Sequence, residues 1–269
     1  MNQVVPIYVN NLARRPDRLH YMQAQLSQAG LQFERHAAFD VAGVCEEDLD
    51  PRIDRPRSRV FMSSESACNL ASHLAMHQRL LHSGAEAAII MEDDIELSPD
   101  IAPAARDLEW LPPDIGVIQF ERYGSGQSRR LVGPSLGKPS PGRSLHRLFS
   151  RVGGSACYLI TRRAARHLAD WTGPLRAPID HLLFSPNVSP VFAALGTAVV
   201  LPALARQEDQ LFASDIAMAR DRRKTDPWRH ARRMYYEVNC IPWQITRMSR
   251  GARWVPFQYQ RTVSSAPDG

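Results

Sequence analysis

The feature that most narrows the fold is a repeated alternation: short apolar, β-branched runs separated by stretches in which apolar residues recur at helical spacing. Val4–Val9, Leu31–Phe39, Ala87–Met91, Ile115–Phe120, Leu145–Phe149, Ala156–Ile160 and Thr197–Leu201 are the runs. Val4–Val9 reads as a buried parallel strand, and the others read as strands. Between them, Leu19, Met22 and Leu26 follow Pro16 at helical spacing and stop at Gly30, while Leu70, Leu74, His77 and Leu81 follow the capping oxygens of Ser63–Ser66 and stop at Gly84. Arg162–Trp171 and Ala177–Phe184 read as two further helices. Such alternation predicts an α/β fold: a mixed, mostly parallel sheet of Rossmann type with helices on both faces. Two stretches lack either period, Val41–Met62 and Tyr123–Arg143, and read as loops, the second mobile or ordered by a ligand.

One run ends unusually. Ala87–Met91 leads directly into Glu92-Asp93-Asp94, which sets three carboxylates at the carboxyl edge of the sheet, where open α/β folds bind ligands. Strand alternation sends Glu92 and Asp94 to one face and Asp93 to the other. Like charges so crowded repel unless a cation or arginines compensate them, and an all-oxygen set suits Mn²⁺ or Mg²⁺. The competing explanation is an acidic helix N-terminus over Glu92–Glu96, stabilised by the helix dipole. Spacing does not separate the two.

Charge divides the chain. From Arg220 onward there are 11 Lys+Arg and 4 Asp+Glu, whereas residues 1–219 hold 22 and 24. The division predicts a catalytic domain over 1–219 and a basic, aromatic extension over 220–269, with an anionic partner for the extension alone. Arg222, Arg223, Lys224, Arg229, Arg232 and Arg233 interleave with Trp228, Tyr235 and Tyr236, and Trp243 and Trp254 follow. That pattern suits a segment lying on an anionic membrane that presents a glycolipid; the alternative packs the aromatics on the domain and leaves the arginines in water. No nucleic-acid module accompanies the basic residues, and no nucleic acid is expected. No apolar stretch reaches membrane-spanning length. Cys45, Cys68, Cys157 and Cys240 are too scattered for a zinc site and read as reduced, mostly buried thiols of a cytoplasmic protein, peripheral on the inner membrane if the extension docks there.

Four blocks resemble glycosyltransferase family 25, the lipooligosaccharide β-galactosyltransferases and relatives of the collagen galactosyltransferases. They are Tyr8-Val9-Asn10-Asn11-Leu12-Ala13-Arg14-Arg15-Pro16-Asp17-Arg18; Glu65, Cys68 and Ser72-His73-Leu74-Ala75; Ile89-Ile90-Met91-Glu92-Asp93-Asp94; and Tyr158, Arg162-Arg163-Ala164-Ala165 and Pro178-Ile179-Asp180-His181. Asn10, Ala13 and Ala67 depart from the family's usual aliphatic, acidic and glycine residues.

The resemblance implies a GT-A-like fold and inverting transfer of a hexose, typically galactose from UDP-galactose, to a glycan or glycolipid acceptor in lipopolysaccharide or lipooligosaccharide biosynthesis, assisted by Mn²⁺ or Mg²⁺. Asp94, with Asp93 or Glu92, would hold the ion at the donor diphosphate. Asp180 would be the base that takes the acceptor hydroxyl proton, unless it caps the helix that follows it. Asn11, Arg14 and Arg18 would approach the nucleotide, Arg18 being otherwise an ordinary solvated helix residue. His73 would bind the donor, unless it is a satisfied core group, and Asp40 would accept from ribose or uracil. Gln207-Glu208-Asp209-Gln210 either completes the cation site or faces solvent, the reading that loop composition favours. Two other classes stay open: a non-catalytic glycan- or nucleotide-sugar-binding protein of the same fold, and a metal-dependent phosphatase or nucleotidyltransferase, which would cleave a UDP-sugar without a glycan product.

Overall fold

The computed structural model describes residues 5–124, 128–207 and 227–262, with backbone alone for residues 46, 227–230, 232 and 233. The chain opens as β1 (Ile7–Asn11), α1 (Pro16–Gln28), β2 (Glu34–Ala37), α2 (Ser64–Ser83) and β3 (Ala87–Glu92). Then come β4 (Ile95–Leu97), α3 (Ile101–Arg106), β5 (Val117–Gln119), β6 (Glu121–Arg122), β7 (Arg129–Gly137), β8 (Ser144–Leu148), β9 (Cys157–Thr161), α4 (Arg162–Asp170), α5 (Ile179–Phe184), α6 (Phe192–Leu195), β10 (Thr197–Leu201) and β11 (Ala205–Gln207). A long helix, α7 (Pro227–Met248), and β12 (Arg253–Pro256) follow.

Nine strands form one mixed sheet in the order β12-β7-β8-β10-β5-β9-β3-β1-β2, and β4-β11-β6 make a small second sheet. In the large sheet β1, β2, β3, β5, β7 and β10 run one way and β8, β9 and β12 the other. The common direction is the one expected, yet five of the eight neighbouring pairs are antiparallel, two because β9 is inserted between β3 and β5 and three because β8 and β12 run against β7 and β10. That insertion brings the amino end of β9 to the same edge as the carboxyl ends of β1, β3 and β5.

Alternate residues of each central strand enter different cores. Ile7, Val9, Ile89, Met91 and Leu159 pack on one side with Met22 and Leu26 of α1 and with α3. Tyr8, Ile90, Tyr158 and Ile160 pack on the other with α2, α4 and α5. Helices therefore cover both faces. Ser63 caps α2 by accepting from Ser66 N at 3.2 Å, and Gly84 ends it at φ +79°, a conformation glycine reaches at little cost.

Tyr123–Arg143, read from sequence as a loop, contains the nine-residue β7. Buried Leu131 and Val132 anchor it, while Gly133 and Pro134 coincide with a shift in its pairing to β8; irregular strands of this kind lack the alternation that marks a strand in sequence. Residues 253–257 are woven into the sheet, since β12 pairs with β7 and Phe257 is buried. Arg143, 1% exposed, bonds Asp100, Ser98 and the carbonyls of Pro202, Ala203 and Gln260. It thus ties that segment to the rest of the domain. No disulfide joins the four cysteines, and all but Cys45 are buried. Among the described residues, no helix is long and apolar enough to cross a membrane.

Candidate functional site

A cavity of about 470 Å³ opens at the edge where β1, β2 and β3 end and β9 begins. Leu12, Arg14 and Ala38–Val41 line one part of it, Glu92, Asp93 and Asp94 another, and Gly154, Ser155, Pro178 and Asp180 a third. All three acids face the same space. The strand rule that separates Asp93 from Asp94 fails because β3 stops at Glu92, leaving the next two residues in a bend without alternation. No helix begins there either, since Ile95 enters β4.

The three carboxylates have different partners. Burial alone pushes Glu92 up, but His73 Nε2 at 3.4 Å and hydrogen bonds from Asn69 (3.1 Å) and Ser155 (3.3 Å) outweigh it and hold Glu92 below the usual carboxylate range. Asp93 accepts from Asn11 at 2.6 Å and from Arg18 at 3.2 Å, yet burial still raises it. Asp94 is raised to about 7, first by burial and then by the charge of Glu92, against the pull of Arg18 at 3.3 Å. Its Oδ1 is buried with no hydrogen-bond partner.

A cation is tested by that inventory. Asp94 Oδ1 is an oxygen with nothing to bind, beside a second acid and facing a cavity, which fits a hard divalent ion. Asp93 and Glu92 are engaged with protein groups, and among the described residues no three His, Cys, Asp or Glu side chains form a ready-made metal cage. Arg18 supplies part of the compensation itself. It is 4% exposed, because α1 turns Arg18, Met22 and Leu26 inward, so it is not a solvated helix residue.

The other sequence candidates fall into two groups. Arg14 and Asp40 line the cavity and form an ion pair with each other at its mouth. Asn11 and His73, by contrast, stand behind the wall. Asn11 holds Asp93 and receives Arg35, whereas His73, fully buried, bonds Tyr158 at 2.8 Å. Tyr158 also meets His77 at 2.7 Å, which links Glu92 to a buried His73–Tyr158–His77 row. Asp180 lies in the cavity wall in the first turn of α5. Pro178 takes the cap position, and no side-chain cap bond forms, so capping does not explain Asp180. His181 turns to Ser185 at 3.2 Å. Gln207 reaches the wall, while residues 208–210 lie outside the described residues.

Several site residues escape the sequence reading. Asn69 lines the cavity from the same face of α2 as Glu65 and Ser72, which belong to the blocks quoted for the family resemblance, and its spacing of four and three from them was a usable signal. Asn10, 7% exposed, donates to Asn69 at 3.2 Å and lines the wall. Gln119 and Glu121, both fully buried, grip the segment before β9 from below: Gln119 donates to the Gly153 and Gly154 carbonyls, and Glu121 accepts from Ala156 N at 2.6 Å. Gly154 has φ +89°, and a Cβ there would lie 2.6 Å from the Glu121 carboxylate oxygens, so glycine is required twice over. Burial, then the charge of Glu92, pushes the Glu121 carboxyl well above its ordinary value.

The model of glycosyltransferase family 25, described as an LPS biosynthesis protein family, matches residues 4–183. The chain belongs to that family. This family 25 glycosyltransferase is 25% identical over 223 residues to the lipooligosaccharide biosynthesis protein lic2B of Haemophilus influenzae, covering 78% of this chain and 79% of that protein. Among solved structures, a glycosyltransferase involved in glycosylation of the major capsid of PBCV-1 aligns with TM-score 0.34 at 10% identity, over 88% of this chain and 100% of that one. The inositol-1-phosphate CTP transferase from T. maritima aligns with TM-score 0.41 at 11% identity, over 84% and 100%. The family match contains every cavity-lining residue named above except Gln207.

Proposed function

We propose that this glycosyltransferase moves a hexose from a UDP-sugar, most simply UDP-galactose, to a glycan or glycolipid acceptor of lipopolysaccharide or lipooligosaccharide biosynthesis, with inversion, at the cytoplasmic face of a membrane. One observation carries the reading: Asp94 offers an unpartnered buried oxygen to a cavity whose wall also holds Asp180. Asp94, with Glu92 beside it, would hold Mn²⁺ or Mg²⁺, which when bound supplies positive charge to the departing diphosphate. Arg18 and Asn11 keep Asp93 fixed beside that position. Arg14 separates from Asp40 to meet a phosphate, which releases Asp40 to accept from the nucleoside. Asp180 takes the proton from the acceptor hydroxyl as that oxygen attacks the anomeric carbon from the side opposite the diphosphate. The His73–Tyr158–His77 row acts through Glu92, whose orientation it fixes.

The test is thermal melting with a panel of UDP-sugars, with and without Mn²⁺, followed by product analysis with saccharide acceptors. A ligand of the folded state raises melting by mass action, and transfer requires UDP release that depends on acceptor. No shift with any nucleotide sugar, or sugar release without a glycan product, would remove the reading.

A further inference from the structure

The C-terminal helix α7 has two faces of different fate. Its inward face carries Cys240, Trp243, Gln244 and Arg247. Trp243 packs edge-on against Phe149 (5.6 Å) and Phe192 (6.5 Å), Gln244 donates to Phe149 O at 3.1 Å, and the Arg247 guanidinium lies over both the Phe149 and Trp243 rings. Its outward face presents Met234, Val238, Ile241, Ile245 and Met248, exposed by 58, 53, 46, 60 and 46%. Their spacing of four, three, four and three draws one stripe about 20 Å long. A helix that merely packed its aromatics and left arginines in water would show charge on that side; among the described side chains of α7, that side is aliphatic. A stripe of this kind on a folded domain marks a contact surface.

Charge selects the occupant. Glu237, the one acidic residue in the sequence from Pro227 to Met248, is paired with Arg151 at 3.6 Å. Arg250, Arg253 and Trp254 are exposed just beyond the helix end. An anionic bilayer accepts the aliphatic side chains below its headgroups and the exposed Arg250 and Arg253 among its phosphates, whereas a second copy laid stripe to stripe offers those two cations no opposite charge. We propose that Met234, Val238, Ile241, Ile245 and Met248 form a docking face that lays α7 flat in the surface of an anionic lipid bilayer. The inference rests on the glycosyltransferase reading only for why a membrane is near. The helix is fastened to Phe149 and Arg151, and the same segment runs on to Gly154 in the cavity wall, so docking brings that wall close to a lipid-borne acceptor.

The experiment is sedimentation of the full chain, without donor or metal, with phosphatidylethanolamine vesicles with or without about one-third phosphatidylglycerol. The expected result is partition onto the anionic vesicles only, weakened at least about tenfold in Val238→Ser/Ile241→Ser/Ile245→Ser and also weakened in Arg250→Glu/Arg253→Glu. Melting, and transfer to a free saccharide, stay unchanged in both variants. Vesicle binding that survives the triple substitution would overturn the proposal, as would no binding by the parent chain. So would a dimer in light scattering that the triple substitution dissolves, which gives the stripe to a second copy. A matching loss of soluble transfer would assign these residues to the fold and overturn it too. Because partition is measured without a nucleotide sugar, it fails or stands apart from the catalytic reading.

Discussion

Arg143 and Asp94 are both buried charges, and the difference between their surroundings separates holding a fold from doing chemistry. Arg143 has Asp100, Ser98 and three backbone carbonyls around its guanidinium. Asp94 has Arg18 for one oxygen, nothing for the other, and two acids beside it. A buried charge left partly unsatisfied lowers stability, so it persists where a ligand completes it. Full satisfaction marks a clasp; a deficit facing a cavity marks a binding site.

The comparison breaks most visibly at the clasp. Arg143→Ala should lower unfolding free energy by about 3–5 kcal/mol, because Asp100 and the carbonyls lose their partner. In chemical denaturation the midpoint falls, while the molecules that remain folded keep their UDP-sugar affinity. Asp94→Ala should do the reverse, cutting transfer roughly a thousandfold with melting equal to or above the parent's in metal-free buffer, since a repelled carboxylate is gone. Transfer at the parental rate would show that the deficit at Asp94 has no catalytic meaning. Asp180→Asn should reduce kcat by about a hundredfold or more with nucleotide affinity retained; an unchanged kcat would leave the base elsewhere in the cavity.

A smaller effect belongs to the row behind Glu92. Burial lowers His77 to about 3 in the folded protein, against its ordinary 6.5. The unfolded chain therefore binds a proton that the folded one refuses as pH falls below 6.5, so stability present at neutral pH is lost on acidification towards the folded value. The slope is about 1.4 kcal/mol per pH unit for this group. Denaturation midpoints for the parent and His77→Gln measured between pH 7 and 5 should converge on acidification, and parallel curves would show that His77 does not titrate in this way.

Much of this architecture was legible in residue order. β1, β3, β9 and β10 are apolar runs whose neighbours alternate between two cores, and the caps at Ser63 and Gly84 mark the ends of α2. β7 was hidden because its glycine and proline sit in a bulged strand, which spoils the period on which the reading depends. At the site, the acidic run announced itself by its placement after a strand, whereas Asp180 was picked out by the family resemblance of its Pro-Ile-Asp-His turn. Gln119 and Glu121 did not: the first is a lone polar residue in an apolar run and the second the first charge after it, and only the insertion of β9 beside β5 gives them Gly153–Ala156 to grip. Asn11 and His73 were read as reaching a ligand, yet they reach the acids instead, because a sequence tells which edge a residue occupies but not which layer. The Gln207–Gln210 run and the 219/220 boundary fall largely in residues 208–226, outside the described residues.

Arg18 has one more consequence. By touching both Asp93 and Asp94, it serves as a tethered counter-ion that is always present, so the native state does not depend on a borrowed one. The two acids are thereby partly compensated from within the chain, whatever occupies the cavity beside them. In chelator the protein should stay folded, giving up only the increment that a bound ion adds by mass action, whereas Arg18→Met should melt well below it under the same conditions.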